Sequence, residues 1–104
     1  MIVYHLTPKG NVSAILWEGL RIKKAIGVPR VWFFTPRKRE WARKHIAKHH
    51  HCTPDDLIEL RVNVPRGWLM KWRASIWLCY RDVPSERIEP VNVRRRITDF
   101  LEGY

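Results

Sequence analysis

Residues 57–64 give the clearest strand signal in the chain, and they constrain its fold more than any other stretch. Apolar and polar residues alternate there, with aliphatic side chains at positions 58, 60, 62 and 64. Side chains along a β-strand point alternately to opposite faces, so the pattern predicts a strand with one buried and one polar face. Such a half-buried strand is typical of an antiparallel sheet. The alternation places Glu59 on the polar face.

The other elements follow from similar patterns. Apolar runs at residues 2–7 and 30–35 are each closed by a proline and predict strands, as do residues 74–80 and 88–93. Helical spacing predicts a short helix ending near Gly19, a second helix over residues 37–50 and a C-terminal helix over residues 94–102. Residues 68–72 are expected to be irregular or helical. The order of these elements indicates an α+β fold with mostly antiparallel strands and two main helices outside.

Length and hydropathy limit the classes of protein that the chain can belong to. Its 104 residues predict a single domain, 1–104, with one modest core. No apolar run approaches the roughly 18 residues of a membrane span, and the chain starts directly with a strand, so we expect no membrane association and a cytoplasmic location. Cys52 and Cys79 lie far apart in dissimilar contexts and do not indicate a disulfide framework.

The charge of the chain is its strongest indication of a partner. Twenty Lys and Arg residues against ten Asp and Glu residues give a formal net charge of +10, and residues 9–48 are almost wholly basic. Such a surface attracts polyanions, and exposed members of the six Trp residues could stack on unpaired bases. Single-stranded RNA or DNA is the expected partner, and a basic surface that only maintains solubility is the alternative. The candidate contacts are Lys23, Lys24, Arg37, Arg39 and Arg43.

His5 and Thr7 form a candidate binding pair. Two residues apart at the end of the first strand, their side chains point to the same face. An imidazole and a hydroxyl placed in this way can hold an amide, a ribose hydroxyl or a phosphate oxygen. A histidine at a strand end followed by a threonine that caps the next turn would have the same spacing, so both interpretations stay open.

A cluster of histidines follows the second predicted helix. It consists of His45, His49, His50, His51 and Cys52. His45 and His49 are one helical turn apart and could ligate a metal ion. No second element supplies ligands with a recognisable spacing, and histidines near a helix C-terminus are favoured by the helix dipole. We therefore predict no metal site, although the sequence alone leaves that alternative open.

Several stretches resemble the ADP-ribosyltransferase superfamily. The opening of the chain carries YHLTP at 4–8, LWEGL at 16–20 and VWFFT at 31–35. Its later part carries RASIWL at 73–78 and DVPSERI at 82–88. The chain most resembles the branch that contains RNA 2′-phosphotransferases and DNA-modifying ADP-ribosyltransferase toxins. The resemblance covers most of the chain, with gaps in the basic loop after residue 20 and at 52–56, and it implies split, mostly antiparallel β-sheets.

The resemblance also implies a set of site residues. In that superfamily the His-x-Thr pair holds the nicotinamide-side ribose and the amide of NAD, and His5 and Thr7 match it. An aromatic side chain of the second strand stacks on nicotinamide, for which the candidates are Trp32, Phe33 and Phe34. Basic residues bind the pyrophosphate, for which the candidates are Lys9, Arg21 and Arg30. NAD is therefore the cofactor that the resemblance implies.

One departure bears on activity. Many members of the superfamily have a glutamate on a late strand that stabilises the positive charge of the transition state. The matching position is Ser75 or, with one residue of slippage, Ile76, and neither is acidic. Loss of such a contact often costs several kcal/mol of transition-state stabilisation. Glu59, on a neighbouring predicted strand, is the candidate substitute, while the phosphotransferase branch relies on basic residues instead.

These observations predict a small basic ADP-ribosyltransferase-like domain that binds nucleic acid or a nucleotide, with reduced or lost transferase activity. One alternative is an active NAD-dependent transferase that moves ADP-ribose or an RNA 2′-phosphate on nucleic acid. A second alternative is a protein-binding inhibitor or adaptor that uses its exposed Trp residues. Whether the chain is an enzyme, and its oligomeric state, stay open at this point.

Overall fold

The computed structural model describes residues 1–25 and 27–91. In this part of the chain the strands are β1 (Ile2–Pro8), β2 (Val31–Phe34), β3 (Leu57–Asn63), β4 (Leu69–Arg73), β5 (Ile76–Cys79) and β6 (Ile88–Pro90). The α-helices are α1 (Val12–Glu18) and α2 (Arg39–His49). The domain is therefore α+β, as the sequence predicts. Neither α1 nor α2, the α-helices of the described residues, has the length and hydropathy needed to cross a bilayer.

The six strands form one antiparallel sheet in the spatial order β4-β5-β2-β1-β3-β6. The ladder between β1 and β3 runs along the whole of β1. In its register His5 faces Leu60 and Thr7 faces Ile58, while Leu6 faces Glu59. Residues that face each other across two strands share one side of the sheet. His5 and Thr7 therefore lie on one side, and Glu59 lies on the other.

The sheet opens between β1 and β2. Tyr4 and Phe34 are the pair that joins these two strands, although β1 continues to Pro8 and β2 begins at Val31. Beyond this pair the strands diverge, and the His5 side chain bonds to the β2 backbone instead. The expectation of two separate sheets is wrong, because hydrogen bonds connect all six strands. The strands separate only where β1 and β2 diverge, and the sheet is otherwise continuous.

Each side of the sheet has its own apolar core. Val3, Phe33 and Leu60 belong to the core on the α1 side, and each is at most 1% exposed. Leu6 and Phe34 belong to the core on the α2 side. Full burial of a large aliphatic or aromatic side chain contributes about 1.5–3 kcal/mol, so both cores hold the two helices against the sheet. The polar face predicted for β3 is consequently covered by α2 near Glu59, which is 7% exposed.

The end of α1 is fixed by a close backbone approach. Leu20 exchanges two backbone hydrogen bonds of 2.9 Å with Val83. Gly19 has a φ of +87°, and a Cβ atom there would lie 2.2 Å from the Val83 carbonyl oxygen. Only glycine combines this conformation with the absence of a side chain. The bridge therefore fixes the end of α1 beside the turn before β6.

The histidine tract forms the C-terminal end of α2. His51 adopts a left-handed conformation with a φ of 54°. The backbone N–H of Cys52 donates to the Ala47 carbonyl at 2.9 Å, and that of His51 donates to the Lys48 carbonyl at 3.2 Å. This pattern satisfies the last carbonyls of a helix. The end of the helix thus offers a structural explanation for this group of histidines.

Some predicted element boundaries are wrong. Residues 69–73 form the edge strand β4, whereas the sequence suggested an irregular or helical stretch. The next strand begins at Ile76 instead of residue 74, because Ser75 has a φ of 63° and lies in the turn between β4 and β5. The last described strand ends at Pro90. The predicted helix over residues 94–102, like residues 92–93 of the last predicted strand, lies outside the described residues.

Candidate ligand-binding cleft

A cavity of about 400 Å³ opens where β1 and β2 diverge. His5 and Thr7 line it from β1, and Trp32 lines it from β2. The end of α1 and the basic loop after it form one wall, and the second half of α2 forms the other. We call this cavity the cleft. Its size lies within the usual range of small-molecule sites, about 300–1,000 Å³.

The hydrogen bond of His5 determines which ring nitrogen is an acceptor. Nδ1 lies 2.8 Å from the Trp32 carbonyl oxygen. A carbonyl oxygen only accepts, so Nδ1 carries the proton and Nε2 is the acceptor when the ring is neutral. Burial lowers the pKa of His5, and the nearby His50 lowers it further, although the bond to Trp32 acts in the opposite direction. A neutral His5 at pH 7 therefore offers an acceptor to the cleft.

Thr7 supplies the complementary group. It is 3% exposed and lines the same cavity from the same side of β1. Its hydroxyl can both donate and accept a hydrogen bond. The register explains the proximity, because residues two apart on a strand share a face. The cleft thus contains a ring-nitrogen acceptor beside a hydroxyl.

The mouth of the cleft is basic. Arg21 and Arg30, two of the three predicted pyrophosphate contacts, belong to its lining together with Lys24, whereas Lys9, the third, does not. Arg21 lies 3.7 Å from Asp82 in an exposed pair, and Lys24 donates to Glu18. Arg30 donates to the Tyr80 hydroxyl at 3.2 Å. Exposed ion pairs contribute little stability, so the first two cations can turn to a bound anion at small cost.

Only one of the three predicted stacking aromatics reaches the cleft. Trp32 is half-buried and lines the cavity. Phe33 is 1% exposed and packs edge-on against His5, with 5.9 Å between ring centroids. Phe34 is 3% exposed in the core on the α2 side. Phe33 therefore packs against the His5 ring. Trp32 is the one of the three that borders the cleft, where His45 also stacks on its ring.

Glu59 does not join His5 and Thr7. It lies on the opposite side of the sheet, outside the cleft lining, and binds Arg39 with contacts of 2.8 Å and 3.3 Å. Among the described residues, the carboxylate that lines the cleft is Glu18. The hydrogen bond from Lys24 lowers the pKa of Glu18, so this carboxylate is ionised at neutral pH. Glu18 was not among the predicted site residues, although it lies in the LWEGL stretch that the resemblance includes.

The predicted nucleic-acid contacts separate into two groups. Three of the cations pair with carboxylates: Lys24 with Glu18, Arg39 with Glu59, and Arg43 with Asp55. Lys23 and Arg37 are exposed, and no ion pair within residues 1–25 and 27–91 includes either of them. Arg39 and its partner connect α2 to the sheet, so Arg39 has a structural role in addition to its charge.

The histidines of α2 form the far wall of the cleft. His45, His49 and His50 all line it, opposite the β1 residues. Burial and the neighbouring histidines lower the pKa of His50. The i, i+4 spacing of His45 and His49 predicted that they share one face of the helix. Nothing in the sequence indicated that this face borders a cavity. No group of His, Cys, Asp and Glu in the described part of the chain has an arrangement suited to a metal ion.

The chain has no significant match among family models, curated proteins or solved structures. Function must therefore be inferred from the geometry and the charge of the chain itself.

Proposed function

We propose that the cleft binds a nucleotide. The observation that carries the proposal is the convergence of three kinds of group on one cavity: the His5 and Thr7 pair, the Trp32 indole, and the cations of the mouth. A nucleotide presents a sugar with hydroxyl groups, a flat base and one or more phosphates. Each part has a suitable counterpart in the cleft.

The arrangement suggests how such a ligand would lie. A sugar hydroxyl can donate to Nε2 of His5, while a second oxygen takes a hydrogen bond from Thr7. A base can pack against the part of the Trp32 indole that His45 and Trp72 leave uncovered, and a stacked base contributes about 1–3 kcal/mol. The phosphates would then meet Arg21 and Arg30, whose charge-assisted hydrogen bonds are roughly twice as strong as neutral ones. Phosphate binding also agrees with the net charge of +10.

The position of the carboxylates supports binding with reduced or lost transferase activity. Transferase chemistry on NAD needs negative charge near the ribose as nicotinamide leaves. Glu59 faces the other side of the sheet, and the matching late-strand residue Ser75 lies in a turn outside the cleft lining. Glu59 cannot supply that charge from its present position, and Ser75 carries no charge to supply.

A specific observation keeps transferase activity as a second candidate. Glu18 is ionised and lines the same cavity as His5 and Thr7. If Lys24 turned to a ligand phosphate, the carboxylate of Glu18 would be released to face the sugar. The test is transfer of label from NAD to single-stranded oligonucleotides, together with removal of an RNA 2′-phosphate. Under this candidate Glu18→Gln abolishes turnover, whereas no turnover by the unmodified protein excludes it.

Titration calorimetry with ADP and NAD tests the binding proposal. Thr7→Val keeps the side-chain shape and removes the hydroxyl, so affinity should fall about 3- to 10-fold for the loss of one neutral hydrogen bond. Arg30→Gln should cost about 10-fold or more through the phosphate. Thr35→Val is the matched control, because Thr35 is half-buried at the end of β2 but does not line the cleft. Equal affinities for all variants, or no binding by the unmodified protein, would contradict the proposal.

A further inference from the structure

Four aromatic rings and one guanidinium form a continuous row on the α2 side of the molecule. Trp41 stacks on His45 with 4.7 Å between ring centroids, and His45 stacks on Trp32 at 5.5 Å. Trp32 and Trp72 meet edge to face with 4.9 Å between ring centroids. The Arg73 guanidinium lies 3.9 Å from the centre of the Trp72 ring. We call these five residues the stacking row.

The two ends of the stacking row, Trp41 and Trp72, lie outside both apolar cores, whereas Trp32 packs against the core on the α2 side. Trp41 is 36% exposed and Trp72 is 44% exposed, at opposite ends of the row. Helix α2 packs over β1, and Trp72 lies on β4, an edge strand of the sheet that is mostly exposed. Large aromatic surfaces left open in this way are typical of binding sites.

Cations flank the stacking row along its length. Arg73 covers Trp72, and Arg30 lies 5.7 Å from the centre of the Trp32 ring. Arg37, Lys44 and Lys48 are exposed on and just before α2, within one or two helical turns of Trp41 and His45. Within the described part of the chain, none of these five cations forms an ion pair with a carboxylate. The five cations outnumber Glu40, the exposed carboxylate beside them on α2, so the rings lie in a strip with an excess of positive charge.

We propose that Trp41 and Trp72, the exposed ends of the stacking row, bind the bases of a single-stranded nucleic acid, whose backbone phosphates meet the flanking cations. Bases in a duplex already stack on each other, so exposed indoles select unpaired bases. The excess of positive charge favours a polyanion over an apolar protein surface. Trp32 and His45 belong both to the row and to the cleft lining. A strand on the row would thus reach the cleft mouth.

This inference goes beyond the proposed function, because the row can bind a strand whether or not the cleft holds a nucleotide. Fluorescence anisotropy with a labelled oligothymidylate and oligouridylate of about eight residues measures it directly. Trp41→Ala and Trp72→Ala should each weaken binding about 5- to 100-fold, the range expected for loss of one stacked base. Trp72→Phe should restore most of the affinity. Arg73→Gln should reduce the slope of log K against log salt by about one.

Trp17→Ala is the matched control, because Trp17 is 86% exposed on α1 and lies outside the row. It should leave oligonucleotide affinity within about twofold. The proposal is overturned if Trp17→Ala weakens binding as much as the row variants do, or if a duplex of equal length binds as tightly as the single strand. It is equally overturned if correctly folded Trp41→Ala and Trp72→Ala, checked by circular dichroism, bind like the unmodified protein.

The same variants separate this inference from the proposed function. ADP affinity should be unchanged in Trp41→Ala, because Trp41 does not line the cleft, and reduced in Thr7→Val. A result in which Thr7→Val binds ADP normally while Trp72→Ala loses oligonucleotide affinity rejects the nucleotide cleft and retains the stacking row. If Thr7→Val loses ADP affinity while Trp72→Ala binds oligonucleotides normally, the stacking row is rejected and the nucleotide cleft is retained.

Discussion

Replacing Glu59 by glutamine should destabilise the fold without weakening the binding of a nucleotide. The Glu59 side chain is 10% exposed and accepts two hydrogen bonds from Arg39, at 2.8 Å and 3.3 Å. Glutamine keeps one acceptor oxygen but presents an amide N–H₂ group to the guanidinium, so one charge-assisted bond is lost. Such a bond contributes about 1.5–3 kcal/mol, and we expect Glu59→Gln to lower the free energy of unfolding by about 2 kcal/mol.

Urea denaturation followed by tryptophan fluorescence measures this change. With a slope of about 1–3 kcal/mol per molar urea, the midpoint should fall by about 1 M. Glu89→Gln is the matched control, because Glu89 lies 3.4 Å from Arg61 in a pair whose side chains are 38% and 48% exposed. Because exposed ion pairs contribute little, Glu89→Gln should lower the free energy of unfolding by less than about 0.5 kcal/mol. If Glu59→Gln keeps normal stability but loses ADP binding, the placement of Glu59 outside the cleft is refuted.

Two further predictions concern the backbone and the histidines. Gly19→Ala should lower the free energy of unfolding by more than about 1 kcal/mol, because the φ is positive and the added Cβ would clash with Val83. Gly10→Ala is the control: it has open space around it and should be nearly neutral in the same denaturation assay. Burial lowers the pKa values of His5 and His50 below their ordinary 6.5, so the unfolded chain takes up protons first as the pH falls. Stability should therefore be full above about pH 6.5 and decrease as the pH falls below it, and a flat thermal midpoint between pH 7.5 and 5 would contradict this.

The elements that define the cleft were largely predictable from the sequence. Prolines and β-favouring residues marked the first two strands, and the alternation over residues 57–64 marked β3. Strand geometry alone placed His5 and Thr7 on one side of β1. The presence of a cavity beside them was not predictable from spacing, because it depends on where β1 and β2 stop pairing.

Other features depend on tertiary contacts that leave little trace in the sequence. The alternation assigned Glu59 to a polar face, but α2 covers that face and an ion pair with Arg39 compensates the burial. Strand β4 is mostly exposed, so it lacks the apolar periodicity of a half-buried strand. Its pairing with β5 and the contact of Arg73 with Trp72 support it instead. Periodicity reports burial, and it therefore fails at an exposed edge.

The most direct test of the central claim is a crystal structure of the protein with ADP or NAD at saturating concentration. The nucleotide should lie in the opening between β1 and β2, with a sugar hydroxyl within hydrogen-bond distance of Nε2 of His5 and its base against Trp32. Its phosphates should meet Arg21 or Arg30 at the mouth. A nucleotide bound elsewhere on the surface while the cleft stays empty would contradict the claim.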